Sequence, residues 1–406
     1  MKKALLVTRV SGFVPQHEMN NVKILQEMGY EIHYATNLNR VVYGEDNSRL
    51  YGTGIITHQI DFQKSPFSRD LNRACYQLQQ LMLKEPFDLI HCHMPLSAAV
   101  TRIAAQKVSK QTKRQIPVLY TAHGLHFYTG APLRNWIYYP VEWYLSRYTD
   151  CLILINQEDY QRGKHFPIRG KVEYVPGIGI PLDGYKPVVL WDDSMAGKYQ
   201  KHKVIEKLIG RTIAPTTKVL IDIGELSRRK NHGLLVEMMA ELKDLDLICI
   251  IGGTGAEKAN LQKLIHKRGL EDCVFLTGYV NNVKQLLAES DCLVFPSYQE
   301  GLPVAMMEAM AAGIPIVASR IRGVTDLLLH GKGGYLVSGF NPSEYAGKVR
   351  RLFVEEYGHS AMPRNLRRYQ MGKWNQERIQ LFSREVVDKR MRTIYDSLGG
   401  NNHGAE

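Results

Sequence analysis

Apolar and polar positions along this chain fall into two kinds of block. Short, nearly continuous apolar runs read as buried strands: Lys3–Thr8, Glu31–Thr36, Asp88–Cys92, Pro117–Thr121 and Cys151–Ile155. Between them Glu18–Met28, Asp70–Leu83 and Ala98–Ser109 predict helices. Repeated strand–helix–strand units make a parallel sheet. A second series follows at Lys218–Ile223, Asp246–Ile251, Val274–Thr277, Asp291–Phe295 and Ile314–Ala318. The two are separated by a stretch rich in Pro, Gly and charge. It runs from Pro176-Gly177-Ile178-Gly179-Ile180-Pro181 to about Pro215 and includes the helix-like Met195–Ile209. It reads as a hinge and the entry to a second domain. Trp374–Leu398 predicts one long terminal helix, and the polar stretch from Gly399 to Glu406 a frayed tail.

At 406 residues the chain suits two domains. Its 44% apolar content is that of a globular protein, and no apolar run is long enough to span a membrane. Met1 to Thr8 starts like a signal peptide, but Arg9 cuts the apolar stretch short, so a first strand is expected. The six cysteines are scattered and lack a Cys-x-x-Cys pair, which points to free thiols in a reducing compartment. The formal charge of +12 suits a phosphorylated substrate or an anionic membrane. No nucleic-acid-binding signature accompanies it, so nucleic acid is not an expected partner.

One segment concentrates the chemistry. Glu300-Gly301-Leu302-Pro303-Val304-Ala305-Met306-Met307-Glu308 sets two carboxylates eight positions apart around a Gly-Leu-Pro loop. A helix beginning near Pro303 would aim free N–H groups and its positive end into that loop, an anion site fit for a diphosphate. Carboxylates accept paired hydrogen bonds from the vicinal hydroxyls of sugars and riboses. Ligands of open α/β sheets bind beyond the carboxyl ends of strands, where a loop after Asp291–Phe295 would lie. A capped helix with two solvated glutamates is the plainer alternative.

Phe295-Pro296-Ser297-x-x-Glu300-Gly301, with Glu308, resembles the donor-site signature of family 4 glycosyltransferases. Ser11-Gly12-Phe13, Thr121-Ala122-His123-Gly124, Gly224 to Asn231 and Gly252-Gly253-Thr254-Gly255 match the same family in order. His123-Gly124-Leu125-His126-Phe127-Tyr128-x-Gly130-Ala131-Pro132 is similar to the subgroup that builds capsular and exopolysaccharide repeat units on a lipid diphosphate carrier. The resemblance implies an α/β protein of the GT-B fold: two Rossmann-like domains with parallel sheets facing across a cleft. The expected domains are 1–185, completed by the C-terminal helix 378–398, then 186–377, with a flexible tail at 399–406. The first would hold the acceptor and the second the nucleotide, closing about the Pro176–Pro181 hinge to exclude water.

By the same resemblance His123, Glu300 and Lys230 are the catalytic candidates. Glu308 would hold the nucleotide ribose, Glu300 a donor-sugar hydroxyl, and Lys230 the leaving diphosphate, where fixed positive charge replaces a metal. Gly301, Leu302, Pro303 and Val304 would approach sugar and diphosphate through backbone, although Pro303 has no N–H to give. The family often carries an arginine where this chain has Glu225, and Arg228 or Arg229 is the candidate replacement. His123 would contact donor sugar and diphosphate, or else cap a loop. Gly12 would let ligand approach closely, or else form a plain turn. Gly253 is expected in a turn beside the nucleotide, and Tyr279 and Val280 at the base. Neither metal nor cofactor is implied beyond the nucleotide-sugar.

His91 and His93 share one side of a strand, but no third residue stands at ligand spacing, so no metal is expected. Arg134, Trp136, Tyr139 and Trp143 form an aromatic, basic stretch suited to a membrane interface, or to a core helix. The expectation is a retaining, metal-independent transferase moving sugar, most simply from a UDP-sugar, to a lipid diphosphate-linked saccharide. It would be cytoplasmic, peripheral on the inner face of the plasma membrane. A UDP-sugar epimerase of this fold and a non-catalytic sugar-nucleotide-binding scaffold are the alternatives.

Overall fold

A computed structural model describes residues 1–44, 46–63, 70–187, 202–354 and 364–399. The chain divides into two compact units, Met1–Gly179 with Arg384–Glu406, and Ile180–Ser383. The division lies a few residues from the positions 185 and 378 expected from sequence.

Unit 1 contains, in chain order, β1 (Lys2–Val7), α1 (Met19–Glu27), β2 (Tyr30–Thr36), β3 (Ile56–Gln59), α2 (Asp70–Lys84), β4 (Leu89–His93), α3 (Pro95–Thr112), β5 (Val118–Ala122), α4 (Tyr138–Leu145), β6 (Cys151–Leu154), α5 (Gln157–Gly163) and β7 (Lys171–Tyr174). The strands form one parallel sheet in the order β3-β2-β1-β4-β5-β6-β7. Its central strands are continuous apolar runs because helices cover both faces. The edge strands β3 and β7 went unpredicted: Ile56-Thr57-His58-Gln59 and Lys171-Val172-Glu173-Tyr174 are short and half polar, as strands with a wet side are. The first helix starts at Met19, not Glu18. Val14–Glu18 is a π-helical turn with Pro15 in its first positions.

An ion pair crosses the helical layer of unit 1. Arg102 of α3, 1% exposed, donates to Glu142 of α4 at 2.8 Å. It also donates to the Ala98 carbonyl at 3.1 Å and lies over the Tyr120 ring. Removing one partner strands a buried charge. Glu142→Ala is therefore expected to cost about 3–5 kcal/mol, read as a lowered urea midpoint. An Arg102→Met/Glu142→Leu double replacement should recover most of it.

Unit 2 contains α6 (Lys203–Ile209), β8 (Lys218–Ile223), α7 (His232–Ala240), β9 (Leu247–Gly252), α8 (Lys258–Arg268), β10 (Val274–Gly278), α9 (Val283–Ala288), β11 (Cys292–Phe295), α10 (Val304–Ala311), β12 (Ile316–Ser319), α11 (Val324–Leu327), β13 (Gly334–Val337), α12 (Pro342–Phe353) and α13 (Arg364–Ile379). Its parallel sheet runs β10-β9-β8-β11-β12-β13. Of the helix expected over Met195–Ile209, the part before residue 202 lies outside the described residues, as does the tail from residue 400.

The long terminal helix expected from Trp374 to Leu398 is two helices. α13 ends at Ile379, Gln380–Phe382 forms a 3-10 turn, Ser383 is extended, and α14 (Arg384–Gly399) begins anew. The break falls where the chain leaves unit 2. There Ser383 bridges Ile180, and the Ile180 N–H donates to the Phe382 carbonyl at 3.3 Å. α14 packs on unit 1 through Val387, Met391, Ile394 and Tyr395. All six cysteines are free. Among the described residues no helix is long and apolar enough to cross a membrane.

Candidate functional site

In unit 2 the loops after β8, β9, β10 and β11 are laced together at the carboxyl ends of the strands. Gly224 N–H donates to the Gly252 carbonyl at 2.9 Å, Leu226 N–H to Thr254 at 2.8 Å, and Gly253 N–H to Gly278 at 2.6 Å. Gly253 has φ +143°, and a methyl group there would overlap the Gly224 carbonyl oxygen. Only glycine permits this approach. Tyr298 N–H donates to the Arg229 carbonyl at 2.9 Å, and Asn231 Nδ2 to the Pro296 carbonyl at 3.2 Å. These bonds hold the cationic turn Arg228–Lys230 against the loop that carries Glu300.

Glu300 is buried between two cations. Lys230 Nζ stands 2.8 Å and Arg229 Nη1 2.7 Å from Glu300 Oε1. Arg322, buried after β12, donates to the Glu300 carbonyl at 3.2 and 3.3 Å. Lys230 also lies 4.8 Å from the Phe295 ring centroid. Arg228 does not join the group. It is 91% exposed and pairs with Glu257 at 3.6 Å. Glu225 is exposed too, so of the two candidate replacements Arg229 is the one at Glu300.

Pro303 is the N-cap residue of α10, and no side chain caps the helix, so its first N–H groups face the Gly301-Leu302-Pro303 loop. Glu308 is the fifth residue of α10 and is half-buried. Its carboxylate has no hydrogen-bond partner among the described residues. Burial raises its pKa to about 7, and Lys284 opposes the rise. Glu308 in turn adds to the upward shift that burial gives the Tyr185 phenol, so the two lie within electrostatic reach. The Lys284 ammonium lies 4.8 Å from the Tyr185 ring centroid and donates to the Asp183 carbonyl at 2.5 Å. Tyr185 and Lys284 were not singled out from sequence, nor was Arg322. Arg322 was within reach of the strand-end rule, because it follows β12 as Glu300 follows β11. Tyr279 is exposed, and Val280 packs where a side chain at Gly252 would stand.

Unit 1 presents its own strand-end cluster. His123 follows β5, with His93 Nδ1 at 3.2 Å from its Nε2. Glu18 Oε1 lies 3.5 Å from both His93 and His123. Burial pushes the Glu18 carboxyl up to about 8, lowers His123 to about 3 and holds His93 well below its usual value, so all three are uncharged at neutral pH. The expectation that the histidine strand has no third partner is thereby corrected. The fold supplies Glu18 and His123 from distant segments, and their ligand atoms lie within 4.8 Å of one another. The His91 ring lies 4.2 Å from that of His93, but its nitrogens are spent on Tyr395 at 2.9 Å and Thr121 at 2.8 Å. Gly12 has a packing reason of its own, since a methyl there would overlap the Val42 carbonyl oxygen.

The aromatic stretch also divides. Trp136, Tyr139 and Trp143 are partly buried and pack against the core of unit 1, Trp136 on Phe127 and Tyr139 on both Phe127 and Phe166. Arg134 is exposed.

Comparison with known proteins agrees with this architecture. A family model described as "Glycosyl transferase 4-like" matches residues 3–156, and one described as "Glycosyl transferases group 1" matches 205–370. Bacillus subtilis EpsD, named as a glycosyltransferase, is 31% identical over 87% of this chain and 87% of its own. The Escherichia coli UDP-Gal:alpha-D-GlcNAc-diphosphoundecaprenol alpha-1,3-galactosyltransferase is 26% identical over 65% of this chain and 66% of its own. In fold, the structure of Anabaena HepE in complex with UDP and glucose superposes with a TM-score of 0.72 at 17% identity, covering 98% of this chain and 100% of that one. With two Rossmann-like units, a family match in each and a relative alike over most of its length, this chain belongs to the GT4-like, group 1 glycosyltransferases of the GT-B fold.

Proposed function

We propose that this glycosyltransferase moves a sugar, with retention of configuration, from a UDP-sugar to a hydroxyl of a lipid diphosphate-linked saccharide during bacterial surface-polysaccharide assembly. The observation that carries the reading is the β11–α10 segment. Glu300, in the loop before α10, is held between Lys230 and Arg229, while Glu308 on α10 has no hydrogen-bond partner among the described residues. In this reading Glu308 accepts the ribose hydroxyls and Glu300 a hydroxyl of the sugar. The diphosphate lies at the first N–H groups of α10, against Lys230 and Arg229. Two fixed cations neutralise charge as the diphosphate leaves, the task a metal performs elsewhere. His123, neutral at working pH, is kept as a hydrogen-bonding contact to the donor.

The acceptor half of the proposal is supported by the name of the Escherichia coli relative, which specifies a diphosphoundecaprenol-linked sugar. The UDP half is supported by that name and by the bound ligand of the Anabaena structure. The test is incubation with UDP-sugars and a short-chain lipid diphosphate-linked N-acetylhexosamine, with the anomeric configuration of the product read by NMR. Transfer with retention, unchanged by EDTA, is expected. Consumption of donor alone to an epimer, or an inverted product, would contradict it.

Glu308 gives the reaction a pH signature. Its carboxyl titrates near 7 in the free protein, and only the ionised form accepts two hydroxyl protons. Affinity for UDP-glucose should therefore rise as pH rises through 7. Below 7 it should weaken by up to about tenfold per pH unit, as the ionised fraction falls. Calorimetry from pH 6 to 8 reads this, and Glu308→Gln should flatten the dependence.

A further inference from the structure

The side of the aromatic segment opposite its packed rings is apolar and exposed. Leu133 is 90%, Ile137 63%, Val141 48% and Tyr144 50% exposed. They recur at helical intervals through the 3-10 turn Leu133–Ile137 and α4, so they form a single stripe. An unbroken apolar stripe of this kind on a globular unit marks a contact surface.

The exposed charge within its own stretch of chain has one sign. Between Asp88 and Asp150 the only carboxylate is Glu142, and that group is buried on Arg102. Arg134 and Arg147 are the exposed charges of the segment. The Arg147 guanidinium lies 4.7 Å from the Trp143 ring centroid and 5.6 Å from that of Tyr144, at the end of the stripe. α3 packs beside α4 and carries exposed Ile103, Lys107 and Lys110, with no acidic residue. An apolar row flanked by Arg134, Arg147, Lys107 and Lys110, with the neighbouring Glu158 carboxylate spent on Arg162 and the Thr129 N–H, complements an anionic bilayer, where side chains enter the headgroup boundary and cations meet lipid phosphates.

We propose that the α3–α4 face of unit 1 is a membrane-docking surface, with Leu133 and Ile137 inserted among anionic lipids and Arg134 and Arg147 on their phosphates. This surface deepens the reading of a lipid-borne acceptor and takes its purpose from that reading.

The test is flotation of the full chain with vesicles of phosphatidylcholine containing about a third phosphatidylglycerol, against pure phosphatidylcholine. The chain is expected to float with the anionic vesicles alone and to be released by high salt. Leu133→Glu/Ile137→Glu and Arg134→Ala/Arg147→Ala should each lower the bound fraction at least tenfold. The Leu133→Glu/Ile137→Glu chain should bind UDP-glucose as before, which shows that it is folded. Failure of the wild-type chain to bind anionic vesicles at low salt would overturn the proposal. So would variants that float like wild type, or a stripe whose replacement only dissociates a dimer in light scattering. The acceptor reading is judged separately, by transfer to detergent-dispersed acceptor. Vesicle binding without that transfer would sink the acceptor reading and leave the surface standing.

Discussion

Lys230→Ala is expected to lower kcat by about two to three orders of magnitude, the usual cost of removing one preorganised group aimed at developing charge. Lys230 is almost wholly buried. It is fixed by Glu300 at 2.8 Å, by the Phe295 ring and by a turn bonded to the β11 loop. A charge held in that way needs no reorganisation when the diphosphate leaves, and little water screens it. Arg229 touches the same Glu300 oxygen, but its side chain is 42% exposed. Solvent screens such a charge, so Arg229→Ala should cost less than about tenfold. Steady-state kinetics with a saturating UDP-sugar reads both. Equal and small effects would remove the charge clamp from the account.

Gly253→Ala is expected to be the most damaging single methyl in unit 2. Its φ of +143° is a region for glycine, and the added carbon would enter the space of the Gly224 carbonyl oxygen. Relief requires parting the loops after β8 and β9, whose mutual hydrogen bonds set the turn that carries Lys230. A loss of more than about 2 kcal/mol in unit 2 should follow, beyond the backbone term alone. Gly269 is the control. It caps α8 at φ +58°, where an added carbon meets only the Lys243 ammonium at 4.0 Å, an ordinary contact, so Gly269→Ala should cost only about 1 kcal/mol. Urea unfolding followed by tryptophan fluorescence and circular dichroism compares them. Equal costs would show that the loop contact is not what confines Gly253.

The central strands were legible because burial on both faces leaves continuous apolar runs such as Ala4-Leu5-Leu6-Val7 and Cys292-Leu293-Val294-Phe295. β3 and β7 were not, since an edge strand needs only part of its side chains to be apolar. The terminal helix was misread for a related reason. Periodicity continues through Ile379 to Phe382, and only the return of the chain at Ser383 imposes the extended residue. At the site, Glu300 and Glu308 stood out through short-range spacing, and Lys230 through the family resemblance. Tyr185, Lys284 and Arg322 did not, because what brings them to Glu308 and to the Glu300 backbone is tertiary structure. Likewise Glu18, His93 and His123 converge from three segments that no local pattern links. The aromatic stretch showed composition without direction. Which rings face inward is settled by Phe127 and Phe166, and the outward residues are the plainer Leu133, Ile137 and Val141.

The central claim is that unit 2 grips a nucleotide through Glu308, the start of α10 and Lys230. A crystal structure of the full chain with UDP tests it most directly. The account predicts both ribose hydroxyls on the Glu308 carboxylate, with the diphosphate against the N–H groups after Pro303 and within reach of Lys230. UDP bound elsewhere on the chain, or bound with Glu308 making no contact to it, would contradict the account.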